Sequence, residues 1–261
     1  MPEEDKEKEA LQKANADLEA ANHFKMHLLT LTSHQMKTPL GIIRGYTALL
    51  REGFYGEIDP RAKEVVAKIE FAAEDLVTLV DNVIDLRKAE EGRIEYQMQN
   101  LDFVKLARQA AEELGHMATS KGLNLSFEGP EGEIMIYGDE QKLRHVIQNL
   151  VDNAVKYTEK GFIHVKLEKK DDAALFSVAD SGIGIPADVK PFLFEEFIRD
   201  ERVKREIRGT GLGLHVAKVF TEAQQGKIWA ESDGEGKGST FYVSIPTIAA
   251  SSPESSSVSP R

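Results

Sequence analysis

Along the first fifty residues, apolar side chains recur every three or four positions. Leu11, Ala14, Leu18, Ala21 and Leu28 trace a thin seam, interrupted by Lys25. Leu29, Thr32, Met36, Pro39, Ile43, Tyr46 and Leu50 continue it more clearly. The spacing predicts one long helix over residues 3–50, its first part of coiled-coil type. The segment Gly53-Phe-Tyr-Gly-Glu-Ile-Asp-Pro60 holds two glycines and a proline and reads as a turn. Val65, Ile69, Ala72, Leu76, Leu79, Val83 and Leu86 then repeat with alternating steps of 4 and 3, which predicts a second helix. Two helices with narrow seams and a short connection make a hairpin, and one hairpin has too little core to stand alone. The expectation is that two copies pair into a four-helix bundle, so the protein is a homodimer.

After Gly92 the pattern changes. Leu101 to Gly122 reads as a helix, Leu123–Phe127 and Ile134–Tyr137 as short strands, and Asp139 to Tyr157 as a helix. Ile163, Val165 and Leu167 alternate, as do Phe176 and Val178; Gly211 to Gln225 is helical; Lys227–Glu231 and Phe241–Ile245 are strands. Helices and strands are not in strict rotation, which favours an α+β sandwich over a doubly wound sheet. Residues 248–261 hold six serines, two prolines and no apolar pattern, and are expected to be a disordered tail.

Composition narrows the function. A chain of 261 residues makes one or two domains. Its net charge of −11 argues against a nucleic-acid partner. No apolar run is long enough to span a bilayer, and the charged first ten residues do not resemble a secretory signal. The absence of cysteine excludes disulfides and thiol catalysis and fits a reducing, cytoplasmic compartment.

His34 can be placed by arithmetic. With Leu29, Met36, Ile43 and Leu50 at a, and Thr32, Pro39 and Tyr46 at d, His34 falls at f, facing away from the seam. Thr38 is four residues on and shares that flank. An exposed neutral imidazole is a competent nucleophile near pH 7. Most surface histidines are merely solvated, but Pro39 sets this one apart. A proline inside a helix costs about 3 kcal/mol and frees a carbonyl one turn earlier.

Three later segments have the chemistry of a nucleotide site. Asn149, Asn153, Lys156 and Tyr157 fall on one face of a helix; amide oxygens suit Mg²⁺, a lysine suits phosphate and a tyrosine can cover a base. Asp180-Ser-Gly182-Ile-Gly184 follows a strand, where a carboxylate can accept from an exocyclic amine and glycines let a ligand approach the backbone. Gly209-Thr-Gly211-Leu212-Gly213 leads into a helix, whose first N–H groups form a phosphate cradle. The charged stretch from Phe192 to Arg208 is expected to be a lid over the nucleotide. Each segment alone is weak. Their order, with 23 residues from Tyr157 to Asp180 and 29 from Asp180 to Gly209, is specific.

Ser33-His-Gln-Met-Lys-Thr-Pro-Leu40 resembles the H box of sensor histidine kinases, and the other segments resemble their N, G1 and G2 boxes, with Phe194-Glu-Glu-Phe197-Ile-Arg199 as the F box. The resemblance covers about residues 20–246. It implies a signalling helix over 1–22, a dimerisation and phosphotransfer hairpin over 23–92, and a Bergerat-type (GHKL) ATP-binding domain over 95–247. By matching position, it implies that His34 accepts phosphate from ATP and passes it to an aspartate on a response regulator. It implies further that Asn153, helped by Asn149, ligands Mg²⁺; Lys156 contacts phosphate; Tyr157 and Asp180 hold adenine with Gly182 and Gly184 beside it; Gly209, Gly211, Leu212 and Gly213 line the phosphates; and Thr240 lies near adenine. Arg199 matches an F-box arginine, and Thr38 the position that orients water for dephosphorylating the regulator.

One position departs from the pattern: an acid usually follows the histidine, and here it is Gln35. The acid is thought to act as a base toward the imidazole, which an amide cannot do. Gln35 therefore motivates a rival reading, an ATP-binding signalling scaffold with impaired phosphotransfer. A third reading, an ATP-driven clamp of the gyrase, chaperone or mismatch-repair kind, leaves His34 without a purpose.

Overall fold

Two glycines turn the chain between its first two helices. In the computed structural model, which describes residues 35–198 and 210–248, helix α1 runs over residues 35–51 and is followed by Gly53 and Gly56 at φ +78° and +97°. Asp59 accepts a hydrogen bond from the Arg61 N–H at 2.8 Å and Pro60 occupies the first turn, so α2 (Pro60–Glu90) starts with its free donors capped. Arg87 and Lys88 lie in its last turn, where cations favour the carbonyl end, and Gly92 follows at φ +64°. The helices are antiparallel: Lys37 pairs with Asp81, Arg44 with Glu74 at 3.6 Å, and Arg51 with Glu70 at 3.1 Å. Such exposed pairs contribute at most about 1 kcal/mol each but record the register.

The predicted seam is not the stripe that this hairpin buries: of its described positions only Leu86 is buried, and the buried Leu40, Thr47, Ala73 and Val80 lie one position on from Pro39, Tyr46, Ala72 and Leu79. Met36, Ile43, Tyr46, Val65, Ile69 and Leu76 of the seam are exposed, Tyr46 to 57%. The physical reason is that the two helices meet along the stripe one position further on, which leaves the predicted seam on a flank open to another neighbour. Asn82 is 1% exposed with its Oδ1 unpartnered.

The chain divides between Ile94 and Glu95. The second unit contains β1 (Met98–Asp102), α3 (Phe103–Ser120), β2 (Asn124–Glu128), β3 (Met135–Asp139), α4 (Glu140–Tyr157), β4 (Phe162–Lys170), β5 (Ala173–Asp180), α5 (Gly213–Ala223), β6 (Lys227–Glu231) and β7 (Ser239–Pro246). Five strands form one sheet in the order β2-β4-β5-β7-β6, with β2 and β4 parallel and the other neighbours antiparallel. A separate antiparallel pair joins β1 to β3. Strand β1 corrects the reading of Leu101 as helix: Asp102 accepts from the Val104 N–H at 2.9 Å, caps α3 there, and leaves Leu101 in the strand.

The fold is an α/β sandwich of two layers. Ile163, Val165 and Leu167 of β4, Phe176 and Val178 of β5, and Val243 and Ile245 of β7 are buried and share one face of the sheet. Against that face pack the apolar stripes of α3, α4 and α5, with α4 between the other two. In α4 the stripe is Leu143, Val146, Ile147, Leu150, Val151, Ala154 and Val155. At about 1.5–3 kcal/mol for each large side chain, burial of this stripe far exceeds any helix propensity in holding α4 in place. Its orientation turns the polar face of α4 toward the start of α5.

Candidate nucleotide site

The polar face of α4 carries Asn149, Asn153, Lys156 and Tyr157, all half-buried. The end of α4 is tied to the turn after β5, because the Ile183 N–H donates to the Tyr157 carbonyl at 3.2 Å. Lys121 reaches from beyond α3 to the Val155 and Lys156 carbonyls at 2.7 and 3.1 Å, satisfying orphan acceptors of the last turn. At the other end of the face, Asn149 lies against the start of α5: a Cβ on Gly213 would sit 2.6 Å from its Oδ1. The Asn149 Nδ2 is buried without a partner. The N-terminus of α5 has no side-chain cap, so its first N–H groups are available to an anion.

Asp180 ends β5, buried to 7% exposure. Its Oδ1 accepts from the Gly182 N–H at 2.8 Å and its Oδ2 from the Ser239 hydroxyl at 2.5 Å. Burial pushes the carboxyl above the usual carboxylate range, while the Ser239 and Gly182 hydrogen bonds oppose that rise.

Two readings need correction. Thr240 does not face Asp180. In the register of β5 with β7, Asp180 lies opposite Ser239, and strand alternation sends Thr240 to the other face. There Thr240 meets Tyr242, which stacks on Trp229 at 5.0 Å. Ser239 is the hydroxyl at the carboxylate, and the sequence held the signal: Phe241, Val243 and Ile245 face the core, so Ser239 shares their parity. The second correction concerns the glycines. A Cβ on Gly182 would meet the Tyr157 carbonyl at 2.4 Å and the Thr158 Oγ1 at 2.9 Å; on Gly184, at φ +72°, it would meet the Gly234 carbonyl at 2.0 Å. The protein's own packing requires these glycines. Ser232 helps build that packing, accepting from the Ile185 N–H at 3.0 Å and donating to the Gly238 carbonyl at 2.7 Å.

Gly211 adopts φ +73°, and its carbonyl accepts from the Phe197 N–H at 3.0 Å. Leu212 beside it is fully buried and Gly213 opens α5. The structure therefore brings the three sequence segments into one neighbourhood: Asn149 to Gly213, Tyr157 to Ile183, and Gly211 to Phe197. His34, Arg199 and Gly209 lie outside the described residues. Gln35 and Thr38 are exposed on α1 in the other unit.

A family model described as "His Kinase A (phospho-acceptor) domain" matches residues 25–92, and one described as "Histidine kinase-, DNA gyrase B-, and HSP90-like ATPase" matches residues 138–249. The chain belongs to the sensor histidine kinases. This kinase core is 33% identical over 232 residues to the circadian input-output histidine kinase CikA of Synechococcus elongatus, a match covering 87% of the chain and 31% of that protein. It is 34% identical over 267 residues to the sensor histidine kinase AruS of Pseudomonas aeruginosa, covering 96% of the chain and 26% of that protein. The chain thus spans about a quarter to a third of these curated relatives. Its fold matches the crystal structure of full-length ShkA in complex with AMPPNP at a TM-score of 0.68 and 28% identity, over 87% of this chain and 47% of that one.

Proposed function

We propose that this chain binds ATP at the site built around Asp180, transfers the γ-phosphoryl group to His34, and hands it on to an aspartate of a response regulator in the cytoplasm. The observation that carries this reading is the buried Asp180 carboxylate, held by Gly182 and Ser239 in the same unit as the start of α5, which has no side-chain cap. One accepts an amine and the other an anion, and they belong to one compact unit.

Asp180 accepts the adenine 6-amino group, Tyr157 covers the base, and Lys156 and the N–H groups of Gly211 and Gly213 hold the phosphates, with Leu212, whose own N–H donates to the Thr210 hydroxyl at 3.2 Å, between them. Arg199 and Gly209 join them by sequence position. The fit to Mg²⁺ rests on the donor set, the side-chain oxygens of Asn149 and of Asn153 one turn along the same half-buried face; hard amide oxygens suit that ion. Bound there, Mg²⁺ supplies neutralisation of triphosphate charge. In the transfer a nitrogen of His34 forms a bond to the γ-phosphorus as the bond to the bridging oxygen breaks and ADP leaves. Thr38 orients water when the regulator is dephosphorylated.

The exposed seam residues Met36, Ile43, Tyr46, Val65, Ile69 and Leu76 support pairing of two hairpins into a four-helix bundle. Incubation with γ-labelled ATP and Mg²⁺ tests the activity: protein-bound label that is acid-labile and alkali-stable supports a kinase, and its absence supports the scaffold. Gln35→Glu restores a base beside the imidazole. It is expected to raise the initial rate of labelling by about 10- to 100-fold, with ATP affinity unchanged. An unchanged rate means that no base is needed at position 35.

A further inference from the structure

His215 sits in the first turn of α5, half-buried, two residues after Gly213. Its Nδ1 lies 2.8 Å from the Phe194 carbonyl. A carbonyl only accepts, so Nδ1 carries the proton in either charge state of the ring. Its Nε2 lies 3.8 Å from Glu196 Oε1. The same short segment makes a third contact with the phosphate turn, where the Phe197 N–H donates to the Gly211 carbonyl at 3.0 Å. Phe197 holds φ +60°, an unfavourable conformation for a non-glycine residue, and a Cβ on Gly211 would sit 3.0 Å from the Phe197 backbone. Close backing of this kind persists only when several contacts determine it together.

The geometry points to His215 as a positioning residue for the triphosphate, acting by clasping residues 194–197 onto the Gly211–Gly213 turn. Within the turn the Leu212 N–H donates to the Thr210 hydroxyl at 3.2 Å, and α5 has no side-chain cap; the clasp adds the support from behind. The N–H groups at the start of α5 then keep their aim. This inference rests on the nucleotide reading above and concerns only its phosphate half. Asp180 and Gly182 make their contacts without His215, so the base half is independent of it.

The test compares ATP and adenosine, each titrated by amide NMR shifts into the parent, His215→Leu, His215→Ala and His215→Asn. Leucine and alanine remove the donor, and asparagine offers an N–H at similar reach. His215→Leu is expected to weaken ATP about tenfold while adenosine stays within about twofold, and His215→Asn to recover most of the loss. Alanine, a strong helix former, carries the same expectation as leucine should leucine fail to fold. Unchanged ATP affinity in the donor-less variants overturns the inference, as does equal weakening of ATP and adenosine, which marks a general collapse. A parent chain that binds adenosine but not ATP contradicts the phosphate half, and one that binds neither overturns the nucleotide reading itself.

Discussion

Asp180→Asn is expected to weaken ATP binding by about 100-fold while leaving the protein at least as stable as the parent. The two effects have one cause. Burial disfavours the ionised carboxylate, so the folded state holds a proton more tightly than the unfolded chain does. By linkage, a raised carboxyl pKa favours the folded state at low pH, and this advantage is lost as pH rises from the ordinary value through the raised one. At neutral pH the ionised Asp180 therefore costs stability, and a neutral amide of the same shape removes that cost. Ligand binding runs the other way. An ionised carboxylate accepts from the adenine amine more strongly than a neutral carboxyl does, so ATP affinity falls as pH drops through the raised pKa, at a higher pH than for an ordinary aspartate. Calorimetric titration and thermal unfolding of parent and variant check both halves. A variant that is clearly less stable, or that binds ATP as the parent does, contradicts the assignment.

The second large effect belongs to Gly184. Its φ of +72° is already unfavourable for an L residue, and an added Cβ would lie 2.0 Å from the Gly234 carbonyl, a backbone atom that cannot swing aside. Relief requires moving the 232–238 loop, which Ser232 pins at both ends and which shares the Gly238–Gly182 hydrogen bond of 3.1 Å. Gly184→Ala is expected to lower stability by about 2–4 kcal/mol and ATP affinity by more than about tenfold. Gly132→Ala is the control, since a Cβ there meets nothing within 4 Å and should change stability by less than about 0.5 kcal/mol. Urea midpoints with unchanged slopes measure both.

The fold was legible wherever periodicity was long. The alternation in β4 and β7 announced those strands because burial on one face repeats, and the seven-position apolar stripe of α2 announced a helix although only Leu86 of it is buried. Strand β1 was not legible: five residues with a burial pattern lacking alternation, paired only to β3, leave no period to find. At the site, residue types revealed the chemistry but not always the position. Asp180 and Asn149 are where their neighbours in sequence suggested. Ser239 was missed although parity alone separates it from Thr240. Gly182 and Gly184 were recognised for a ligand, yet their reason is carbonyl and hydroxyl oxygens of the chain itself, which no spacing rule contains. The exposed seam at Met36, Ile43 and Tyr46 had the same limit: a heptad shows that a stripe is apolar, not which neighbour covers it.

The central claim is that ATP bound at Asp180 phosphorylates His34. The direct measurement is protein-bound label from γ-labelled ATP in the parent and in His34→Ala, with ATP affinity measured on both. The account predicts acid-labile label on the parent, none on the variant, and the same ATP affinity in each. Label that persists on His34→Ala, or a parent that binds ATP and takes up none, contradicts it.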